Sequence, residues 1–319
     1  MALFPADNQT GVRVEAERMD DEHPLKAHAH IGHVEKLYLE VLYRCNFECR
    51  HCFQGVNLKR PERFTLDEAT RAIAHFADHF GLSSVTICGG EPFLHPDLEA
   101  MLAFAKLRGL DTVVCTNGYR IHKILTRVAS DLDHLRVSVD GLCETHDAIR
   151  RPGSFKACVD TLLFARAHGI RTSITMTVTN SNVGDIGGLA AIAAECGADH
   201  IKLHELRPIG HAADHPDLIV APGQRSQLTR EVRRAARDVP VFLDEDASPA
   251  VALDRSRMER TDLDRIEIQP DGRLYVSCKA VGADSNAFWY DKAHDCVEYR
   301  PADDDELAAR TPQVRYVEI

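Results

Sequence analysis

The segment Thr65-Leu-Asp-Glu-Ala-Thr-Arg-Ala-Ile-Ala-His-Phe-Ala-Asp-His-Phe80 runs through Gly81-Leu-Ser83 into Ser84-Val-Thr-Ile-Cys88-Gly-Gly-Glu-Pro92. Its first four residues, Thr65-Leu-Asp-Glu68, are a capping box, in which a threonine and a glutamate satisfy each other's orphan backbone N–H groups. Leu66, Ala69, Ile73, Phe76 and Phe80 then recur at helical spacing on one face. Ser84–Cys88 is short, apolar and β-branched, as a buried strand is. A helix feeding a buried strand is half of a crossover unit, and that unit recurs along the chain.

Strand-like runs occur at Lys36–Leu42, Thr112–Cys115, Leu135–Val139, Thr172–Val178 and His200–His204. Helix-like segments lie between them: Leu98, Met101, Leu102 and Ala105 on one face, then Ile121–Val128, Phe155–Ala167 and Ile186–Cys196, with Gly169 and Gly197 as C-terminal caps. Strands alternating with helices predict a parallel sheet with right-handed crossovers. A Rossmann sheet and an open, partial TIM-type barrel both satisfy this rhythm, and both bind ligands at the carboxyl ends of their strands.

Outside this region the rhythm fails. Residues 1–33 show no apolar periodicity and read as an extension carrying His23, His28, His30 and His33. After Gly210, Ala213–Gly223 reads as a linker, Gln227–Arg237 as a helix, and Val241–Leu243, Arg265–Ile268 and Arg273–Ser277 as strands around Pro270-Asp-Gly272. The organisation expected is an extension over 1–33, a core over 34–212 and a small α+β appendage over 213–319.

The 319 residues carry a net charge of −11, which argues against a nucleic-acid partner. No uncharged apolar stretch is long enough to span a membrane, and the polar N-terminus lacks the features of a secretory signal, so a cytoplasmic location is expected. In that compartment ten cysteines point to metal binding or chemistry rather than disulfides.

Cys45-Asn-Phe-Glu-Cys49-Arg-His-Cys52 follows the first strand. Three thiolates this close can ligate three irons of a cubane cluster and leave the fourth iron open. A zinc knuckle would need a fourth ligand at compatible spacing, for which His51 and the downstream cysteines are poor candidates, whereas Cys49 and Cys52 also have the spacing of a redox pair. Cys88-Gly-Gly-Glu-Pro92 ends the second strand; its glycines let the backbone approach a ligand, and Glu91 can accept hydrogen bonds from an ammonium group.

With both motifs, in this order and at strand ends, residues 35–212 resemble the radical S-adenosylmethionine (SAM) enzymes. The resemblance implies a partial (β/α)6 TIM-type barrel with a small α+β C-terminal appendage. It implies a 4Fe–4S cluster on Cys45, Cys49 and Cys52, His51 near the adenine, and Gly89, Gly90 and Glu91 at the methionine part of SAM. Thr116-Asn117-Gly118 matches the family's TNG segment, which is equally a structural turn. Ser138-Val-Asp-Gly141 with His146-Asp-Ala-Ile-Arg150 and Gly153-Ser-Phe155 matches the subset with a SPASM or twitch extension, so that Ser138 and Arg150 are expected at the ribose or carboxylate of SAM. The C-terminal region departs from that subset: only Cys278 and Cys296 follow Cys196, so an auxiliary cluster is either lost, which is the expectation, or bound incompletely. Cys278 is then a structural thiol or a hydrogen-atom donor. Cys88, Cys115, Cys143 and Cys158 read as core or packing residues, with Cys88 close to the site.

The sixth strand, Lys202-Leu-His204-Glu205-Leu-Arg207, is unusually polar. An exposed edge would explain this; the alternative is that Lys202, His204, Glu205 and Arg207, with Glu40 from the first strand, face an anionic substrate, and that Lys202 and Glu205 take part in its chemistry. The family chemistry implies reductive cleavage of SAM to a 5′-deoxyadenosyl radical, hydrogen abstraction from a small-molecule substrate, and a low-potential donor such as flavodoxin or ferredoxin. Within the family the resemblance narrows to cytosylglucuronate decarboxylase of antibiotic pathways, hence decarboxylation of a glucuronosyl nucleoside. Epimerases or dehydrogenases of aminoglycoside-like sugars and peptide-modifying maturases are alternatives, and an iron–sulfur electron-transfer protein is the non-enzymatic one.

Overall fold

The computed structural model describes residues 23–29, 31–243, 261–276 and 288–300. The elements in chain order are α1 (Pro24–Ala29), β1 (Ile31–Glu40), α2 (Leu66–Phe80), β2 (Ser84–Cys88), α3 (Leu98–Leu107), β3 (Asp111–Thr116), α4 (His122–Val128), β4 (His134–Ser138), α5 (Cys143–Ile149), α6 (Ser154–Ala167), β5 (Arg171–Val178), α7 (Ile186–Cys196), β6 (Ile201–Glu205), α8 (Arg225–Ala235), β7 (Val241–Leu243), β8 (Thr261–Ile268), β9 (Arg273–Tyr275), β10 (Phe288–Asp291) and β11 (Cys296–Tyr299).

Local sequence explains most of these elements. The capping box at the start of α2 forms: Glu68 N–H donates to Thr65 Oγ1 at 3.2 Å, and Thr65 N–H donates to Glu68 Oε2 at 2.7 Å. Ala69, Ile73, Phe76 and Phe80 are buried as the periodicity predicts. Gly197 caps α7 in the left-handed conformation, at φ 73°, where an L side chain is strained.

All strands among the described residues lie in one sheet of order β11-β10-β9-β8-β1-β2-β3-β4-β5-β6-β7. The run from β8 to β7 is parallel, and β8–β9, β9–β10 and β10–β11 are antiparallel. The parallel α/β barrel is therefore wider than the six expected strands. β7 and β8, placed by the sequence pattern in the appendage, extend it at either end, because their registers match β6 and β1. Leu243 on β7 and Arg265 on β8 line one cavity, so the sheet curls until its flanks face each other.

One face of each strand packs on the helices. Leu37, Leu39, Ile87, Val114, Leu135, Val137, Ile174, Met176, Ile201, Leu203, Ile266 and Ile268 are buried in the same core as Ile73, Phe76, Met101 and Leu162. The alternate residues face inward. α1 docks on this body through Leu25, which is fully buried. Among the described residues, no helix is long and apolar enough to cross a membrane.

Candidate active site

The inward residues enclose a cavity of about 880 Å³. At its upper rim, beyond the end of β1, the loop 45–52 brings Cys45, Cys49 and Cys52 to the wall. A backbone turn closes the loop, Cys52 N–H donating to the Cys49 carbonyl at 3.1 Å. Burial pushes the Cys45 thiol up to about 11 and the Cys49 thiol up to about 12, so without metal both are protonated at neutral pH. Three soft sulfur donors from one loop suit an iron–sulfur cluster.

Glycine is required beside this loop. A Cβ on Gly90 would lie 2.1 Å from the Arg44 carbonyl oxygen, and one on Gly89 would lie 2.5 Å from that of Leu42. The Gly90 and Glu91 N–H groups donate to the Leu42 and Arg44 carbonyls. The glycine pair thus locks the end of β2 onto the strand of chain leading into the cysteine loop, and its backbone lines the cavity.

Glu91 is turned away from that wall. The expectation from sequence was a carboxylate facing an ammonium group; instead it is 1 % exposed and accepts from Phe93 N–H at 3.1 Å, Thr116 Oγ1 at 2.8 Å and Asn117 N–H at 2.8 Å. Burial pushes its carboxyl up to about 7 despite these bonds. The Thr116-Asn117-Gly118 segment therefore has a structural task in this chain, as the partner that holds Glu91 behind the glycines. Asn117 also lines the cavity and donates through Nδ2 to Asn46 Oδ1 at 2.7 Å.

Ser138 at the end of β4 lines the cavity, and so do His51 and Arg150. The last two meet on Asp140, a residue the sequence reading did not single out. Asp140 Oδ2 accepts from His51 Nε2 at 2.5 Å and also pairs with Arg150 Nε, while Oδ1 accepts from Thr177 N–H at 2.8 Å. Burial opposes ionisation of Asp140, but the Arg150 guanidinium and His51 hold it well below the usual carboxylate range. His146 supports the same loop by accepting from Asp140 N–H at 3.0 Å, and Asp147 accepts from Gly153 and Phe155 N–H groups. Arg151, beside Arg150, is exposed and does not line the cavity.

Of the five polar residues expected to face a substrate, Glu40, Lys202, His204, Glu205 and Arg207, all line the cavity. The sixth strand is not an edge: β7 covers it. Glu40 accepts from Gln54 Nε2 at 2.7 Å, and Glu205 is held by both terminal nitrogens of Arg225 at 2.6 and 2.7 Å. Cys278 lies outside the described residues.

The structure adds a layer that sequence reasoning missed. Arg136 on β4 donates through Nη1 to Tyr38 OH on β1 at 2.7 Å, and its Nε is a buried donor without a hydrogen-bond partner. The Arg265 guanidinium stands 5.3 Å over the Tyr38 ring. With Lys202 they form three cations on the cavity wall. Their signal was present as polar residues two apart on buried parallel strands: Tyr38 and Glu40, Arg136 and Ser138, Lys202 and His204, Arg265 and Glu267. Cys88 faces the cavity, near the site as the sequence suggests; Cys115 also faces it and Cys143 is exposed, so neither of these two is in the core, whereas Cys158 is buried.

Residues 39–191 match the sequence model of the Radical SAM superfamily. The mycofactocin maturase MftC of Mycobacterium ulcerans is 32% identical over 204 residues, covering 58% of this chain and 55% of that protein. The AdoMet-dependent heme synthase of Nitratidesulfovibrio vulgaris is 29% identical over 194 residues, covering 59% of this chain and 53% of that protein. The chain thus spans about half the length of the curated relatives it matches. Streptococcus suis SuiB bound to S-adenosylmethionine shares the fold at a TM-score of 0.64 and 15% identity, over 82% of this chain and 64% of that one. The structure of anSMEcpe with bound AdoMet does so at 0.61 and 15%, over 80% and 76%.

Proposed function

From the premise that this chain carries a radical SAM domain, and with it that family's use of a 4Fe–4S cluster and SAM, we propose that it abstracts a hydrogen atom from a carboxylate-bearing substrate, in first place a peptide. The observation that carries the substrate class is the cation layer of Arg136, Lys202 and Arg265 in the cavity that the three loop cysteines also face. Guanidinium groups pair with carboxylates through parallel hydrogen bonds, and the orphan Arg136 Nε is a buried donor that such a partner would satisfy. At about 880 Å³ the cavity lies at the upper end of the range of about 300–1,000 Å³ usual for ligand pockets, room for more than one occupant.

In this reading Cys45, Cys49 and Cys52 hold the cluster, the Gly89–Gly90 backbone and Asn117 bound the methionine end of SAM, and Ser138, His51 and Arg150 lie along the rest. When bound, the cluster and SAM supply a 5′-deoxyadenosyl radical, which takes a hydrogen atom from carbon. The chain's own residues do the positioning: Asp140 fixes His51 and Arg150, and the cations hold the substrate's anionic group so that one carbon faces the SAM site. His204 and the Glu205–Arg225 pair lie at the mouth as specificity groups, and the curled sheet limits access of solvent.

One relative bears the name of a mycofactocin maturase, and Streptococcus suis SuiB, which shares the fold, has been solved bound to precursor peptide SuiA, which moves first choice from the sugar nucleoside to a peptide. Decarboxylation of a glucuronosyl nucleoside remains the second reading, because the same cations suit a sugar carboxylate. Anaerobic incubation of reconstituted enzyme with SAM, dithionite and either acidic peptides or cytosylglucuronate, read by mass spectrometry, separates the two. A mass change in a peptide together with 5′-deoxyadenosine supports the first reading, and cytosylglucuronate lighter by carbon dioxide transfers it to the second. 5′-Deoxyadenosine with neither substrate altered discards both. In a productive assay Lys202→Met should leave 5′-deoxyadenosine formation but lower product per SAM; unchanged coupling would remove Lys202 from the substrate site.

A further inference from the structure

Outside the cavity, the loop that carries the three cysteines meets a small aromatic and basic surface. Phe47, two residues after Cys45, is buried and forms part of the cavity wall; its N–H donates to Cys45 Sγ at 3.4 Å. On its other side Tyr119 packs edge-to-face, ring centroids 5.5 Å apart. The Arg151 guanidinium lies 4.8 Å over Tyr119 and 5.6 Å over Phe47, and donates to the Asn46 carbonyl at 3.1 Å. Arg120 lies 5.1 Å over Tyr119. Its backbone has a φ of 61°, in the left-handed region that a side chain other than glycine pays to enter. Arg120 and Arg151 are both exposed, as is Arg44 immediately before Cys45. None of Tyr119, Arg120 and Arg151 lines the cavity.

This surface has three properties together. It is positive on a chain of net charge −11. It contains a half-buried aromatic ring, Tyr119, with the two guanidinium groups over it. It lies one residue from Cys45 and is separated from the cavity by a single ring, so a partner can sit on it while substrate occupies the barrel. We propose that Tyr119, Arg120 and Arg151 form the docking surface for an acidic flavodoxin-type electron carrier, resting on the radical SAM reading. Carboxylates around the carrier's flavin meet the two guanidinium groups, and the flavin's exposed aromatic edge meets Tyr119. One electron leaves the carrier's reduced flavin and passes to the cluster behind Phe47. No atom crosses the interface.

The test measures binding of a bacterial flavodoxin to reconstituted holoenzyme by calorimetry at low and high salt. Arg120→Glu with Arg151→Glu should weaken binding by about tenfold or more at low salt, and the difference should shrink as salt screens it. Cluster iron content and 5′-deoxyadenosine formation driven by dithionite should be unchanged, while formation driven by reduced flavodoxin slows. The control, Arg233→Glu with Arg237→Glu near the end of α8, makes the same change in net charge elsewhere and should bind as the parent does. Equal flavodoxin binding by parent and double variant overturns the proposal, as does equal weakening in the α8 control. Loss of dithionite-driven cleavage in the double variant would also overturn it, by placing these arginines in the SAM site. Arginine-dependent binding of a ferredoxin in place of flavodoxin would overturn the choice of carrier. A failure of the radical SAM reading itself would show as no 5′-deoxyadenosine with either reductant.

Discussion

Thr116 Oγ1 donates to Glu91 Oε1 at 2.8 Å, joining the end of β3 to the turn that follows β2. This bond, with the Asn117 N–H on the other oxygen, keeps a carboxyl with a pKa of about 7 directly behind the Gly89–Gly90 backbone. If the glycine pair bounds the methionine end of SAM as proposed, the negative charge of Glu91 above that pH attracts the SAM ammonium group across the glycines. SAM affinity of the reconstituted protein, measured by equilibrium dialysis, should therefore rise as pH increases through about 7, and the rise should vanish in Glu91→Gln. The metal-free fold responds in the opposite sense. Burial raises this carboxyl from 4.5, so its contribution to stability is present below 4.5 and is lost as pH rises through about 7. A pH-independent SAM affinity would remove the charge of Glu91 from SAM binding.

Asp140 joins His51, on the cysteine loop, to Arg150, after α5. Asp140→Asn removes the charge that offsets a buried guanidinium, and breaking such a pair costs about 3–5 kcal/mol. The melting temperature should fall by about 5 °C or more, and SAM affinity should fall with it because both side chains lose their anchor. An unchanged melting temperature would mean that Arg150 finds another partner.

Gly90→Ala would place a methyl group 2.1 Å from one carbonyl oxygen and 2.3 Å from the next, both backbone atoms leading into Cys45. Neither can yield without moving the loop, so this variant should lose most of its iron on reconstitution. Gly223→Ala, where nothing lies within 4 Å, should load normally. Equal iron content in the two variants would show the loop tolerates displacement.

 His23 Nε2 lies 2.9 Å from His75 Nε2, and this contact helps seat α1 on α2. Burial first, and then the nearby His75, His79 and Lys26, hold the His23 imidazole down at about 3, and burial lowers that of His75 as well. Asp295 on the β10–β11 turn, 3.5 Å from His75 Nδ1, and Asp78 pull the other way on His75. Because the folded state disfavours the protonated rings, the stability they contribute is present above the ordinary value of 6.5 and is lost as pH falls below it. Amide exchange in residues 24–29, corrected for intrinsic rate, should therefore quicken between about pH 7.5 and about pH 5. His23→Phe, which keeps the edge contact with Phe80, should flatten that response. Exchange that does not respond to pH in the parent protein would count against a histidine-dependent docking of α1.

Much of this architecture was legible along the chain. The α2 capping box, its apolar face, the bounds of β2 and α7, and the cysteine loop all rest on residues within a few positions of each other, and local sterics and hydrogen bonding decide them. What the sequence by itself determined was therefore a repeating strand–helix unit, with a sulfur-rich loop after the first strand and a glycine turn after the second. The tertiary structure decided which polar groups meet. Arg136 reaches Tyr38 across 98 positions of chain, and Arg265 arrives on the same ring from a strand that pairs beside β1. It also turned Glu91 behind its glycines, and it sent Arg150 inward to Asp140 while Arg151 stays exposed. The physical reason is that side-chain periodicity specifies which face of a strand is polar, whereas strand order and sheet curvature specify what that face looks across at.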